Sequence, residues 1–84
     1  MTAQDILDDF ISRDIGFQYR ILSRLQSDCD YFLGFGSRNP NALYCRSVKD
    51  HLFVMRGLHN NFVEKPEWLT VKELDLLESK MLEA

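Results

Sequence analysis

Cysteine is scarce: Cys29 and Cys45 stand alone in 84 residues, with no Cys-x-x-Cys pair. That excludes a disulfide framework, and the spacings to His51 and His59 fit no usual zinc finger. No metal and no cofactor are expected. No apolar run approaches the ~18–20 residues that cross a bilayer, so no membrane span is expected either. The opening Met1-Thr2-Ala3-Gln4-Asp5 is acidic and lacks an apolar h-region, and it reads as neither a signal nor a transit peptide. With reduced thiols, the expected compartment is the cytoplasm. Alternating strands, internal repeats and low-complexity segments are missing. An excess of base is missing too, since the net charge is −3, which argues against nonspecific coating of nucleic acid. A chain of this length forms one domain over residues 1–84, burying about 60–65% of its unfolded surface.

What the chain does have is helical periodicity. Thr2 as N-cap, with Asp5 at the positive helix end, opens a first helix whose face is Ile6, Leu7, Phe10 and Ile11. It ends or bends near Asp14-Ile15-Gly16, because an interior glycine costs about 1 kcal/mol. Phe10, Phe17, Ile21 and Leu25 nearly share a stripe, which keeps one continuous helix as the alternative. The second helix is carried by Phe17, Ile21, Leu22, Leu25, Cys29, Phe32 and Leu33, with Arg24 and Asp28 spaced as an i,i+4 pair. Gly34 is placed as a left-handed stop, Gly36 frees the backbone again, and Pro40 sets a turn or a new helix start. Ala42-Leu43-Tyr44 reads as a short helical turn packing back on the core. Ser47 caps a third helix through about Asn61. Its stripe is Val48, Leu52, Met55, Leu58 and Phe62, widened by Phe53 and Val54, so it is contacted on more than one side. A connector extended before Pro66 leads to the capping box Thr70-Val71-Lys72-Glu73. Val71, Leu74, Leu77 and Met81 are the core face of the last helix, with Leu76 and Leu82 at its margins. The predicted fold class is all-α, a small bundle of three to four helices.

Two segments stand out from this routine packing. They are Asp30-Tyr31-Phe32-Leu33-Gly34-Phe35-Gly36-Ser37-Arg38 and Lys65-Pro66-Glu67-Trp68-Leu69-Thr70. In order and spacing they resemble the D-Y-x-L-G-x-G-x-R and K-P-E-W-L-T signatures of the large polyvalent protein-associated domains of bacterial mobile elements, small helical type. The resemblance covers about residues 19–81. Two positions depart from the family pattern: Phe35 stands where a polar residue such as asparagine is usual, and Leu43-Tyr44-Cys45 where a tryptophan is common. The resemblance implies a phage or mobile-element accessory protein in a bacterial host cell, of a kind found beside DNA-processing and anti-defence modules. It supplies no reaction.

The residues support several readings of a site. The Gly34–Arg38 loop is either an anion-binding nest of backbone amides or a helix end and turn, with Arg38 paired to a carboxylate or to helix-end carbonyls. It lacks the Gly-Lys-Ser/Thr ending of a phosphate loop. Cys29 sits on an apolar stripe, and Cys45 with His51 offers no third orienting group, so no catalysis is expected. Trp68 either staples the connector to the bundle or anchors a partner. Tyr31, Phe35, Arg38, Tyr44 and Trp68 are the candidate interaction surface, and Phe35, between two glycines, is the residue expected to be exposed. The first functional expectation is a small protein that binds a host or defence-system protein, as an anti-CRISPR-like inhibitor does. The second is a nucleic-acid-binding accessory using Arg20, Arg24, Arg38, Arg46 and Lys49, from a basic centre that lies between acidic ends. The third is a structural module that forms a homodimer.

Overall fold

In the computed structural model, which describes residues 2–82, four α-helices follow one another: α1 (Ala3–Ile11), α2 (Ile15–Leu33), α3 (Val48–Asn61) and α4 (Val71–Leu82). A 3-10 turn at Pro40–Ala42 lies between α2 and α3. The described residues contain no strand. The all-α bundle is as the periodicity predicts, and no helix is long and apolar enough to cross a membrane.

Each helix starts where a side chain satisfies its first amides. The Thr2 hydroxyl accepts from the Asp5 amide and the Asp5 carboxylate accepts from that of Thr2, a reciprocal cap that lowers the Asp5 pKa. Asp14 caps α2 through the Phe17 amide at 2.9 Å, so α2 opens at Ile15 and Gly16 falls in its first turn, where glycine costs little. The alternative of one helix running through Gly16 is thereby set aside. Ser47 caps α3, and Thr70 and Glu73 bond reciprocally at the start of α4.

The core centres on α3, which touches α1, α2 and α4. Leu22, Leu25, Val54, Met55, Leu58 and Leu69 are fully buried, with Phe10, Phe62 and Leu74 beside them. Tyr19 stacks on Phe62 with ring centres 4.2 Å apart, and its hydroxyl donates to the Glu64 carbonyl. Arg56 ties α3 to α4 through Asp75 at 2.8 Å and Glu78 at 3.5 Å, contacts worth at most about 1 kcal/mol each at this exposure.

Several expectations need correction. Val71 is 54% exposed, as the first residue of α4, where the helix has only begun. Phe53 is also exposed, at 45%, whereas its neighbour Val54 is buried. One residue of helix turns the side chain by about 100°, and the three contacts of α3 leave that direction open. No ion pair forms between Arg24 and Asp28. The short turn sits at Pro40–Ala42, two residues before its expected place, with Leu43 behind it as the buried anchor.

Three buried polar side chains had no sequence signal. Gln18 donates to the Ile11 and Arg13 carbonyls and accepts from Asn61, which closes the α1–α2 corner. His59 donates from Nε2 to the Leu69 carbonyl and fixes the connector. His51 faces the Leu25 carbonyl at 2.9 Å through Nε2. A carbonyl only accepts, so the proton sits on Nε2 and the buried Nδ1 is left bare, without a partner.

A second proton on His51 would be placed at Nδ1 with nothing to receive it. Burial accordingly holds its pKa below the ordinary 6.5, against smaller upward pulls from the Leu25 hydrogen bond and from Asp28. The unfolded chain takes up this proton near pH 6.5 and the folded chain resists it. His51 therefore favours the fold fully above about pH 6.5, and that contribution is lost as pH falls below it. Urea midpoints should drop from about pH 7.5 to about pH 5.5, more steeply in the parent protein than in His51→Gln. Equal slopes in the two proteins would show that the ring is not what titrates.

Candidate functional site

The site follows from how α2 ends. Its last carbonyls would be left without intrahelical partners, and the chain beyond folds back to supply them. The Gly34 amide reaches the Asp30 and Tyr31 carbonyls at 3.0 and 3.1 Å, the Gly36 amide reaches Tyr31 at 2.7 Å, and the Arg38 amide reaches Phe32 at 2.8 Å. Ser37 donates to Gly34 and Asn39 to Gly36, while the Asn39 side chain receives the Asn41 amide. Between Gly34 and Asn39, only the Phe35 amide has no such bond, so the anion-binding nest is not there to be filled.

Neither glycine has the left-handed conformation expected of a helix stop. Gly34 has φ −108°, and the positive φ values belong to Ser37 (51°), Arg38 (60°) and Arg46 (56°). Gly36 is required for a different reason. A Cβ there would lie 2.9 Å from the Tyr31 carbonyl oxygen and 3.1 Å from both the Phe32 Cα and the Ala42 Cβ. The glycine permits close approach of two backbones.

The motif cations also have structural tasks. Arg38 donates through Nη1 to the Lys80 carbonyl at 2.8 Å, satisfying the C-terminal end of α4. Lys65 places Nζ at 2.7, 2.9 and 2.6 Å from the carbonyls of His59, Asn60 and Phe62, which closes the end of α3. The helix-end carbonyl contact expected as one reading of Arg38 is observed at Lys80. In the second motif Pro66 and Leu69 are buried, whereas Trp68 is only partly covered. Leu69, at 0% exposure, is what pins the connector.

Phe35 is what those tasks leave over, with its side chain in solvent at 92% exposure on a turn whose other amides, from Gly34 to Asn39, are hydrogen-bonded. Tyr31, half exposed, shares that end of α2. The other candidates are dispersed. Tyr44 lies against Phe10 with ring centres 5.7 Å apart, and the Trp68 carbonyl receives the Gln26 side chain from the middle of α2. Among the proposed nucleic-acid contacts, Arg20 and Arg24 are exposed on α2, Arg46 precedes α3, Lys49 is in its first turn, and Arg38 is engaged with α4.

Sequence reasoning missed two shallow grooves along α4. One, between α3 and α4, is lined by Lys49, Leu52, Phe53, Arg56, Glu78 and Leu82. The other, between α2 and α4, is lined by Gln26, Asp30, Glu73, Leu76, Leu77 and Lys80. Burial pushes the Cys29 thiol up to about 12 and that of Cys45 up to about 11, so neither supplies a thiolate at neutral pH. Among the described residues no group of three or more His, Cys, Asp or Glu side chains could hold a metal ion.

Compared with known proteins, the sequence matches large polyvalent protein-associated domain 11 over residues 15–81, which spans α2, the aromatic turn, α3 and α4. No curated protein and no solved structure matches it. The matched span takes in both signature segments and most of the core, so the chain belongs to the large polyvalent protein-associated domain 11 family, a polyvalent-protein-associated module of mobile elements.

Proposed function

We propose that this domain is a binding module, not an enzyme, and that it docks a host or defence-system protein in the bacterial cytoplasm through the turn at the end of α2. One observation carries this reading: Phe35 is held almost wholly in water on a turn fixed by the hydrogen-bonded amides on either side of it. Leaving a phenylalanine out of the core forgoes about 2–3 kcal/mol of burial, which a partner covering it would recover. Large aromatic side chains on a preorganised backbone are the usual anchors of protein interfaces. An inhibitor of a defence system is the finer form of this reading, compatible with a mobile-element module.

The test is site-specific photocrosslinking in a bacterial host. A benzophenone amino acid at position 35 should capture one protein that the same group at exposed Asn60 does not. Phe35→Ala should lose that protein in a pulldown while its melting temperature stays close to the parent value. Capture that is equal at positions 35 and 60, or that survives Phe35→Ala, would sink the proposal. Loss of a stable dimer in Phe35→Ala would instead identify the partner as a second copy of the chain.

A further inference from the structure

The outer face of α2 says what chemistry the partner should have, on the reading that the aromatic turn is its docking point. Gln18, Leu22, Leu25, Cys29 and Phe32 define the inner side of the helix. At 100° per residue the opposite side carries Arg20, Ser23, Arg24, Ser27 and Tyr31, all of them exposed. Neither arginine forms an ion pair with a described residue.

Two of the neighbouring carboxylates are turned elsewhere. Asp30 lines the groove toward α4 with Glu73 and Lys80. Asp28 is half-buried and acts electrostatically on Cys45 and His51, on the side of α3. Asp14, at the start of the helix, receives the Phe17 amide, and its Oδ1 shares the space beside Gly16 with Arg20 Nη1 without forming a salt bridge. In a chain of net charge −3, this face therefore presents two cations against one capping carboxylate, that of Asp14 beside Arg20. The helical rise places Arg20 and Arg24 about 6 Å apart along the axis and Tyr31 about 10 Å further on, with Phe35 at the helix end.

We propose that this face binds an acidic segment of the partner protein, with carboxylates on Arg20 and Arg24 and an apolar side chain against Tyr31 and Phe35. Guanidinium groups suit carboxylates because two N–H bonds meet the two oxygens in one plane. A nucleic acid is the weaker match. Two arginines neutralise few phosphates, and a chain of net charge −3 repels a polyanion along its length. A short acidic segment meets only the local field, within a Debye length of about 8–10 Å.

The experiment is fluorescence anisotropy on the full chain at about 50 mM salt with three labelled probes. These are a short peptide with a Glu-Glu pair followed by Leu and Phe, its twin with Gln for Glu, and a single-stranded oligothymidylate. The Glu peptide should bind about tenfold tighter than its twin, and Arg20→Glu with Arg24→Glu should remove the difference. Arg20→Gln with Arg24→Gln should also remove it without inverting the charge, and circular dichroism should confirm that both variants remain helical. Equal binding of the two peptides, or no binding of either, overturns the inference. So does oligothymidylate binding as tight as that of the Glu peptide, which would favour nucleic acid. A crosslink at position 35 that is unchanged by the arginine substitutions overturns it too, while leaving the docking reading intact. Discrimination of the Glu peptide without any specific crosslink at position 35 supports the acid-binding face and removes the docking reading.

Discussion

Gly57→Val is expected to destabilise the fold by about 2–3 kcal/mol, a large part of the total available to a domain this small. Gly57 lies in the middle of α3, where the helix meets α1. A Cβ there would lie 2.9 Å from the Leu7 Cδ1 and 3.1 Å from its Cγ, and closer still to Cδ2. Leu7 is buried and cannot simply swing into water. The modest gain in helix propensity on leaving glycine offsets only a fraction of this clash. Urea denaturation should show the lowered midpoint. Leu7→Ala, which alone should cost about 2–4 kcal/mol, should cost much less on the Gly57→Val background, because the valine occupies the vacated space. Strictly additive losses would mean that the two residues do not compete for one volume.

Gly57 also marks what the sequence could not convey. Read locally, it is a glycine that weakens a helix, and its justification lies fifty residues away in Leu7. The features that were legible are those with short range. Thr2, Ser47 and Thr70 cap the helices they were expected to cap, because each bonds within three residues. The stripes of α2 and α3 were legible because their periodicity reflects one continuous core. Gln18, His51 and His59 were not, since their partners are the Ile11, Arg13, Leu25 and Leu69 carbonyls, and carbonyls leave no trace in the sequence. Val71 and Phe53 misled because apolar spacing identifies a face without saying how far a neighbouring helix extends over it.

The candidate site was legible in one respect and not in another. A phenylalanine flanked by Gly34 and Gly36 has little structure around it to be buried in, and Phe35 is exposed accordingly. Arg38 drew attention by its charge, whereas its geometry serves α4 through the Lys80 carbonyl. The same holds for Lys65 at the end of α3. Both family signatures thus contain a cation that closes a helix end, Arg38 on the distant α4 and Lys65 on the α3 end just before it. Segments that recur for such reasons identify a fold. The binding chemistry is better sought in residues without that duty, namely Phe35, Tyr31, Arg20 and Arg24.

Gly36→Ala should remove the aromatic turn itself, at a cost of about 1–3 kcal/mol. The methyl group would meet the Tyr31 carbonyl oxygen at 2.9 Å and the Phe32 Cα at 3.1 Å. Both are backbone atoms of α2, so no side-chain rotation relieves the contact. The chain must lift away, breaking the Gly36–Tyr31 and Arg38–Phe32 hydrogen bonds that close the helix. Amide exchange should therefore accelerate at Gly36, Ser37, Arg38 and Asn39 but not in the centre of α3, and wild-type protection at those four positions would refute the account. Phe35→Ala should have the opposite profile, with protection and stability retained because the lost ring touches little. If the turn exists to present that ring, the two variants must fail alike in capturing a partner while differing in every measure of folding. If only Gly36→Ala loses the partner, the contact lies in the backbone of the turn or in the α4 end that Arg38 holds, and Phe35 is a bystander.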